Sequence, residues 1–262
     1  ATCGYHTQEV IKEVTAYAQR HFVTIVPEIE PPGHALAALT AYPHLGCTGG
    51  PYQVRTEWGV SEEVFCAGND STFVFLKNVL DEVCALFPGP YIHIGGDECL
   101  KDRWKACARC QKRIRVEKLT DEQGLQSYCI GKVSEMIKKH GKKLIGWDEI
   151  AEGGLVDGAL VMSWRGTEGG IAAAKMGHEV IMTPGSHCYF DFYQGDPAGE
   201  PTAIGGYTPI EKVYDYEPVP DTLAVEYRPF ILGAQGNVWT EYIADAAQAE
   251  YMTYPRACAL AE

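Results

Sequence analysis

The sequence Tyr91-Ile92-His93-Ile94-Gly95-Gly96-Asp97-Glu98 joins a short apolar run to two glycines and two adjacent acids. The apolar run is typical of a buried strand, and glycine at its end lets another group approach the backbone closely. Two neighbouring carboxylates resist ionising together, so one can serve as an acid while the other stays charged. An isolated Asp-Glu pair more often caps a helix. Because residues able to carry chemistry recur at the ends of several other predicted strands, we predict instead a catalytic acid beside a fixed charge.

Short apolar runs elsewhere in the chain alternate with longer amphipathic stretches. We predict six strands, at Val23–Pro27, Tyr91–Gly95, Lys143–Trp147, Leu160–Trp164, Glu179–Thr183 and Ile231–Gln235. We predict helices at Gln8–Arg20, Ser71–Leu86, Asp121–His140, Gly169–Met176 and Asp245–Ala261. This alternation is typical of repeated βα units around a parallel sheet.

Polar side chains crowd the carboxyl ends of these strands, which is where a (β/α)8 barrel keeps its active site. They are Glu28, Glu30, Asp97, Glu98, Asp148, Glu149, Arg165, Trp239 and Glu241. Six strands do not close an eight-stranded barrel. We therefore predict an α/β fold of the TIM-type (β/α)8 class, incomplete in this chain, with residues 1–262 forming a single catalytic domain that lacks its first strands. The stretch 184–228, rich in Gly, Pro and Tyr, is predicted to be a functional loop over the barrel mouth.

The composition of the chain argues against two kinds of partner, nucleic acid and the membrane interior. The chain of 262 residues is 46% hydrophobic and carries 35 acidic against 22 basic residues, a net charge of −13. That balance argues against nucleic acid as a partner. The longest apolar runs are far shorter than the ~20 residues of a membrane span. The sequence does not determine the oligomeric state or the cellular compartment. Between compartments, it slightly favours export from the cell.

Five motifs, each after a predicted strand and in this order along the chain, resemble the signatures of family 20 glycoside hydrolases. They are Pro27-Glu28-Ile29-Glu30-Pro31-Pro32-Gly33-His34, the stretch 91–98, Gly146-Trp147-Asp148-Glu149, Ser163-Trp164-Arg165-Gly166 and Trp239-Thr240-Glu241. Each motif alone is weak, and five in order form a specific signal. The resemblance implies a β-N-acetylhexosaminidase that needs no cofactor and no metal.

The resemblance also implies roles for individual residues. Asp97 would hold the 2-acetamido N–H of the substrate, and Glu98 would protonate the glycosidic oxygen and then activate water. Tyr189, in Tyr189-Phe190-Asp191, would donate to the acetamide oxygen, and Asp191 would bind a sugar hydroxyl. Glu241 would accept hydrogen bonds from the outer hydroxyls, and His34 would act near the catalytic acid.

We predict that three tryptophans at strand ends contact the sugar ring and its N-acetyl methyl group. They are Trp147, Trp164 and Trp239, although a single tryptophan more often packs in a protein core. Glu30 stands where many family members carry Asp, so it is left out of the predicted catalytic set. The family pattern also has an arginine strand near the start of the barrel, which Ala1–Tyr5 does not match.

Ten cysteines are scattered through the chain. Cys99, Cys107 and Cys110 lie close together, and Cys107-Ala108-Arg109-Cys110 has the spacing of a zinc knuckle. His93 or Cys129 could supply a fourth ligand, but solitary Cys-x-x-Cys segments are often neighbouring thiols, and we predict no metal. Cys47 and Cys66 could form a disulfide in an exported protein.

The resemblance implies an enzyme that releases terminal non-reducing β-linked N-acetylglucosamine or N-acetylgalactosamine from oligosaccharides or glycoconjugates. It also implies a retaining mechanism through an oxazolinium intermediate. Two alternatives are a lacto-N-biosidase-like enzyme on the same scaffold and a noncatalytic sugar-binding derivative. A chitinase of the other substrate-assisted family is disfavoured, because the chain has no Asp-x-x-Asp-x-Asp-x-Glu run.

Overall fold

The computed structural model describes residues 4–262, which form two compact units divided between Ala159 and Leu160. The comparison of Ala1–Tyr5 with the family's arginine strand falls largely outside these described residues. None of the helices between residues 4 and 262 has both the length and the apolarity that a membrane span requires.

The first unit contains two strands and six α-helices. They are α1 (Gln8–Arg20), α2 (Leu36–Ala41), α3 (Asp70–Leu86), β1 (Tyr91–His93), α4 (Asp102–Ala106), α5 (Ala108–Val116), α6 (Glu122–Lys138) and β2 (Lys143–Trp147), with 3-10 turns at Pro43–Leu45 and Asp148–Ala151. Side-chain caps fix where three helices begin: Thr7 accepts from Val10 N, Asn69 from Ser71 N, and Asp121 from Gln123 and Gly124 N.

Strands β1 and β2 pair in parallel, with Ile92 opposite Leu144. Both of these residues are buried, and α6 packs against α3 and β2. The hydrogen bond from Trp147 N to Gly95 O continues the pairing past the end of β1. The end of β1 is therefore held by its neighbour up to the two glycines that precede Asp97.

The second unit contains three parallel strands and four α-helices. They are β3 (Leu160–Ser163), α7 (Glu168–Lys175), β4 (Val180–Met182), α8 (Ile210–Tyr214), β5 (Ile231–Ala234), α9 (Ala246–Thr253) and α10 (Arg256–Ala261), with 3-10 turns at Pro197–Gly199 and Val225–Phe230. β4 lies between β3 and β5, and a register shift occurs where Val180 pairs with Ile231 and Ile181 with Gly233. α7 packs on β3 and β4.

The predicted strand at Val23–Pro27 is wrong. This segment makes only an isolated parallel bridge, in which Glu28 lies opposite His93. His93 N donates to Pro27 O and Ile29 N donates to His93 O, both at 2.9 Å. Pro27 has no N–H to extend the ladder, so the contact stops after one residue pair.

Two other elements differ from the prediction. The single helix expected at Asp245–Ala261 is two helices, because Pro255 lacks an N–H and its ring excludes a continuous helix. The stretch 184–228, expected to be one loop, contains α8, whose Val213 is buried.

The α/β class with parallel strands is confirmed. Five strands form among residues 4–262, one fewer than predicted, and an eight-stranded barrel does not close with five.

Candidate active site

Two glycines at the end of β1 allow the chain to turn against a buried carboxyl group. Gly95 and Gly96 have φ of 61° and 87°, where side chains with a Cβ are strained. A Cβ on Gly95 would also lie 1.8 Å from Glu30 Oε2, and one on Gly96 would lie 2.6 Å from Ile150 Cγ2. Glycine is therefore required here both for backbone conformation and for space.

Alanine substitutions can separate these two requirements. Gly141 also has a positive φ, 69°, but no atom lies within 4 Å of its would-be Cβ. We expect Gly141→Ala to lower the free energy of unfolding by about 1–2 kcal/mol, from backbone strain alone. Gly95→Ala should cost a further 1–3 kcal/mol, roughly, because Glu30 must move. Differential scanning fluorimetry of both variants measures the difference in Tm. Equal losses of Tm would show that Glu30 moves aside without a measurable cost in stability.

His34 connects the two adjacent acids. Its Nε2 lies 3.2 Å from Asp97 Oδ2 and 3.4 Å from Glu98 Oε2. The hydrogen bond to Asp97, and then that to Glu98, raises the pKa of His34 to about 10, so the ring is an imidazolium at neutral pH. Gly33 lets the loop that carries His34 lie close to the end of β1, since a Cβ at Gly33 would lie 2.9 Å from Asp97 O.

The two carboxylates differ in their surroundings. Asp97 Oδ1 is buried and has no hydrogen-bond partner among residues 4–262, whereas Oδ2 faces His34. The Glu98 side chain is 37% exposed and its backbone has φ of 46°. Asp97 thus offers a dehydrated acceptor to a ligand, and Glu98 offers a carboxyl group that solvent can reach.

The donor atoms of His34, Asp97 and Glu98 lie within 4.8 Å of one another, as metal ligands would. The contacts of His34 with both acids account for this proximity.

A second pair of acids lies beneath this site. Burial, and then the hydrogen bond with Glu28, raises the pKa of Glu30 to about 10, so Glu30 is protonated at neutral pH. Burial is the largest single influence on the pKa of Glu28 and would raise it. The hydrogen bond and charge of His93, together with the hydrogen bonds of Glu30 and Trp147, outweigh burial, and the pKa is lowered. Trp147 Nε1 donates to Glu28 Oε1 at 2.8 Å.

Glu30 lies outside the catalytic set predicted from the sequence, although its spacing from Glu28 is informative. Glu28 and Glu30 are two residues apart in an extended segment, and such residues share a face. Trp147, predicted to wall the sugar, is only 3% exposed and packs edge-on against His93 at 4.8 Å between ring centroids. Its contact with substrate stays a prediction.

In the second unit, Tyr189 and Trp164 lie together. Their rings stack with centroids 6.3 Å apart, and both residues are half-buried. The backbone of Tyr189 bridges to Asn237, which fixes the start of the Tyr-Phe-Asp segment. The stacked pair presents a phenol hydroxyl beside an indole, the combination predicted for an acetamide pocket.

Asp191 is 5% exposed, and its Oδ1 has no hydrogen-bond partner within the described part of the chain. Burial, with a contribution from the charge of Glu241, raises the pKa of Asp191 to about 7. Glu241 itself is exposed and Trp239 is 36% exposed. The predicted hydroxyl-binding acids Asp191 and Glu241 are therefore within electrostatic reach of each other.

The raised pKa of Asp191 gives a signed prediction. Between pH 3.8 and about 7 the folded state binds more protons at this site than the unfolded state, so stability falls as pH rises. At about 1.4 kcal/mol per pKa unit, the loss amounts to roughly 4 kcal/mol at most. Asp191→Asn should abolish this loss of stability with rising pH, because asparagine does not ionise. Melting temperatures of both proteins from pH 4 to 8 measure the difference, which should grow with pH in favour of the variant.

Asp196 provides the matched control, because it is an exposed acid of the same region that caps the turn at Pro197 by accepting from Ala198 N. Asp196→Asn measures the effect of the same chemical change at an exposed position over this pH range. A parallel pH profile for Asp191→Asn and wild type would contradict the raised pKa.

Comparison with known proteins gives one consistent result. The model of the glycosyl hydrolase family 20 catalytic domain matches residues 1–262. A β-hexosaminidase of Porphyromonas gingivalis is 56% identical over 99% of this chain, which covers 34% of that protein. A β-hexosaminidase of Vibrio furnissii is 36% identical over 98% of this chain and 43% of its own length. The chain thus spans about a third to a half of the length of these curated relatives.

Solved structures agree. The β-N-acetylhexosaminidase from Bacteroides fragilis superposes with a TM-score of 0.84 at 35% identity, covering 98% of this chain and 51% of that one. The Vibrio harveyi exo-β-N-acetylglucosaminidase, solved with N-acetylglucosamine, gives a TM-score of 0.86 at 32% identity, covering 99% and 41%. The structural neighbours are TIM barrels, which confirms the predicted fold class.

Proposed function

The chain belongs to glycosyl hydrolase family 20, and from that premise we propose that the protein removes terminal β-linked N-acetylhexosamine residues by substrate-assisted hydrolysis. The observation that carries the proposal is the buried Asp97 Oδ1, which has no donor among the described residues and lies beside the solvent-accessible Glu98. A buried carboxylate oxygen is costly unless a donor reaches it. An acetamide N–H supplies that donor.

Asp97 would orient the acetamide. By accepting the N–H, the carboxylate turns the acetamide oxygen toward the anomeric carbon and stabilises the positive charge that develops as the oxazolinium ring forms. A fixed charge aimed at a developing charge is among the largest catalytic contributions. His34 already holds Asp97 Oδ2 at 3.2 Å, so the carboxylate does not have to reorient when the substrate arrives.

Glu98 would transfer the proton. As a carboxylic acid it protonates the glycosidic oxygen while the acetamide oxygen attacks the anomeric carbon and the C–O bond breaks. As a carboxylate it then takes a proton from the water that opens the oxazolinium ring, with net retention. Its exposed position supports both steps, because leaving group and water must reach the same oxygen.

The remaining predicted residues would bind the sugar. We propose that Tyr189 donates its hydroxyl to the acetamide oxygen and that Asp191 and Glu241 accept from sugar hydroxyls. The indoles of Trp147, Trp164 and Trp239 would form the apolar walls. Oligosaccharides and glycoconjugates that end in N-acetylglucosamine or N-acetylgalactosamine are the proposed substrates.

Nitrophenyl glycosides test the proposal on the full-length protein. We expect hydrolysis of the β-N-acetylglucosaminide or β-N-acetylgalactosaminide and none of the β-glucoside, which has a 2-hydroxyl in place of the acetamide. Replacing N-acetyl by N-trifluoroacetyl should slow turnover, because fluorine withdraws electrons from the attacking oxygen. Hydrolysis of the β-glucoside at a similar rate would contradict substrate assistance.

The same assay separates the alternatives. Release of an intact disaccharide from a nitrophenyl lacto-N-bioside, without cleavage of the monosaccharides, would identify a lacto-N-biosidase-like enzyme. Binding of N-acetylglucosamine without turnover of any glycoside would identify a sugar-binding protein.

A further inference from the structure

Four cysteine sulfurs from three separate segments of the first unit meet at one point. Cys47 follows the 3-10 turn at Pro43–Leu45, Cys66 precedes α3, and Cys107 and Cys110 lie at the start of α5. Their Sγ atoms all lie within 4.8 Å of one another. Cys66, Cys107 and Cys110 are buried and Cys47 is half-buried. Cys47 and Cys66 lie 60 and 41 residues before Cys107 in the sequence, so the fold brings them to the Cys107-x-x-Cys110 motif.

The spacing of the sulfurs is that of a tetrahedral metal site. Cys47 and Cys110 are 3.8 Å apart, Cys66 and Cys107 are 3.8 Å apart, and Cys66 and Cys110 are 3.7 Å apart. Four thiolates bound tetrahedrally to Zn²⁺ at about 2.3 Å lie about 3.8 Å from one another. Three of the six sulfur–sulfur separations match that geometry, and the other three are no longer than 4.8 Å.

Disulfide pairing fits less well. A disulfide gives each sulfur one close partner, whereas Cys66 lies equally near Cys107 and Cys110, and Cys110 lies equally near Cys47 and Cys66. Cys47 and Cys66, which could pair in an exported protein, are both free thiols in the structure. All four groups share a common centre rather than forming two pairs.

The segments are held together independently of the thiols. Phe65 bridges to Gly46 in antiparallel pairing, and Trp104 Nε1 donates to Phe65 O at 2.9 Å. Gly68 lies so close to α5 that a Cβ there would be 2.2 Å from the carbonyl carbon of Arg109. The backbone therefore preforms the cluster.

A positive charge also lies at the cluster. Arg109, between Cys107 and Cys110, donates to Gly46 O at 2.9 Å. A Zn²⁺ with four thiolates carries a charge of −2, which a neighbouring guanidinium partly offsets. The half-buried Cys47 leaves a route by which the ion enters.

We propose that Cys47, Cys66, Cys107 and Cys110 bind a structural Zn²⁺ ion. A closed site with four protein ligands and no open position is typical of a structural rather than a catalytic zinc. The ion would stabilise the part of the first unit next to the catalytic acids. Phe65 N donates to Pro32 O at 3.0 Å, which links the Cys66 segment to the loop that carries His34.

This proposal replaces the expectation of no metal and corrects the ligands considered from the sequence. Cys99 and Cys129 do not belong to the set of close sulfurs. They pack in the same core as the cluster and serve as matched controls.

Metal analysis of the full-length protein, purified without a polyhistidine tag, tests the site. We expect about one Zn²⁺ per chain by inductively coupled plasma mass spectrometry. Cys110→Ser should lower the zinc content at least tenfold, roughly, because one of four ligands is lost. Cys129→Ser, which changes an equally buried thiol outside the cluster, should keep its zinc. Exchange of Zn²⁺ for Co²⁺ in the unmutated protein should give the visible spectrum of a tetrahedral four-thiolate site.

The unmutated protein decides the question even if a serine variant does not fold. Iron as the bound metal, disulfides among the four cysteines found by mass spectrometry, or four freely alkylated thiols would each overturn the proposal. Equal zinc loss in Cys129→Ser and Cys110→Ser would do so as well. None of these measurements uses turnover, so the zinc site and the proposed hydrolysis succeed or fail separately.

Discussion

Replacing Glu98 with glutamine should lower kcat/KM for a natural disaccharide about 10³-fold, because the amide donates no proton to the departing oxygen. The loss should be much smaller for a nitrophenyl glycoside, whose leaving group departs as an anion without help. Steady-state kinetics on the two substrates measure this divergence. The affinity for a thiazoline inhibitor, which mimics the oxazolinium intermediate, should remain close to that of the wild type.

An exposed glutamate of the same unit provides the control. Glu62 lies on the surface, 3.5 Å from Arg103, and Glu62→Gln should leave both substrates unaffected. If Glu98→Gln loses the same factor on disaccharide and nitrophenyl glycoside, the residue does not act as the acid in glycosidic cleavage.

Replacing Asp97 with asparagine should lower kcat about 10²–10³-fold, because a fixed negative charge is removed from a buried position beside the developing oxazolinium ring. Asparagine also brings an N–H₂ group that opposes the acetamide N–H. The thiazoline inhibitor should therefore bind more weakly as well, in contrast to Glu98→Gln. Isothermal titration calorimetry with this inhibitor distinguishes the two variants.

Asp102, in the first turn of α4, offers a matched exposed aspartate five residues away. Asp102→Asn should retain wild-type turnover and inhibitor affinity. Should Asp97→Asn bind the inhibitor as tightly as the wild type does, Asp97 Oδ1 is not the acceptor of the acetamide N–H.

Much of the fold follows from local sequence. Helix α1 has the predicted bounds, Gln8–Arg20, since its apolar spacing is regular and Thr7 caps its start. The strand predicted at Val23–Pro27 fails because strand formation depends on what lies alongside, and its contact is one bridge to β1. The break within the helix predicted at Asp245–Ala261 could have been predicted from the sequence, because Pro255 lies inside that range and proline interrupts a helix.

The site was predictable only in part. The resemblance of five motifs to family 20 implied roles for Asp97, Glu98 and His34, and the structure brings these three side chains together. The protonation of Glu30 depends on burial against Gly95, which no spacing reveals. The cysteine cluster joins Cys47 and Cys66 to a motif more than 40 residues further along, so the sequence suggested wrong partners for Cys107 and Cys110.

The left-handed backbone at Glu98 has a consequence for protein engineering. A non-glycine residue with φ of 46° stores strain of roughly 1–3 kcal/mol, which glycine at the same position would relieve. Directed evolution for heat resistance alone would therefore favour Glu98→Gly. Because Glu98 is the proposed catalytic acid, selection should include sugar release at each round, so that this substitution is removed.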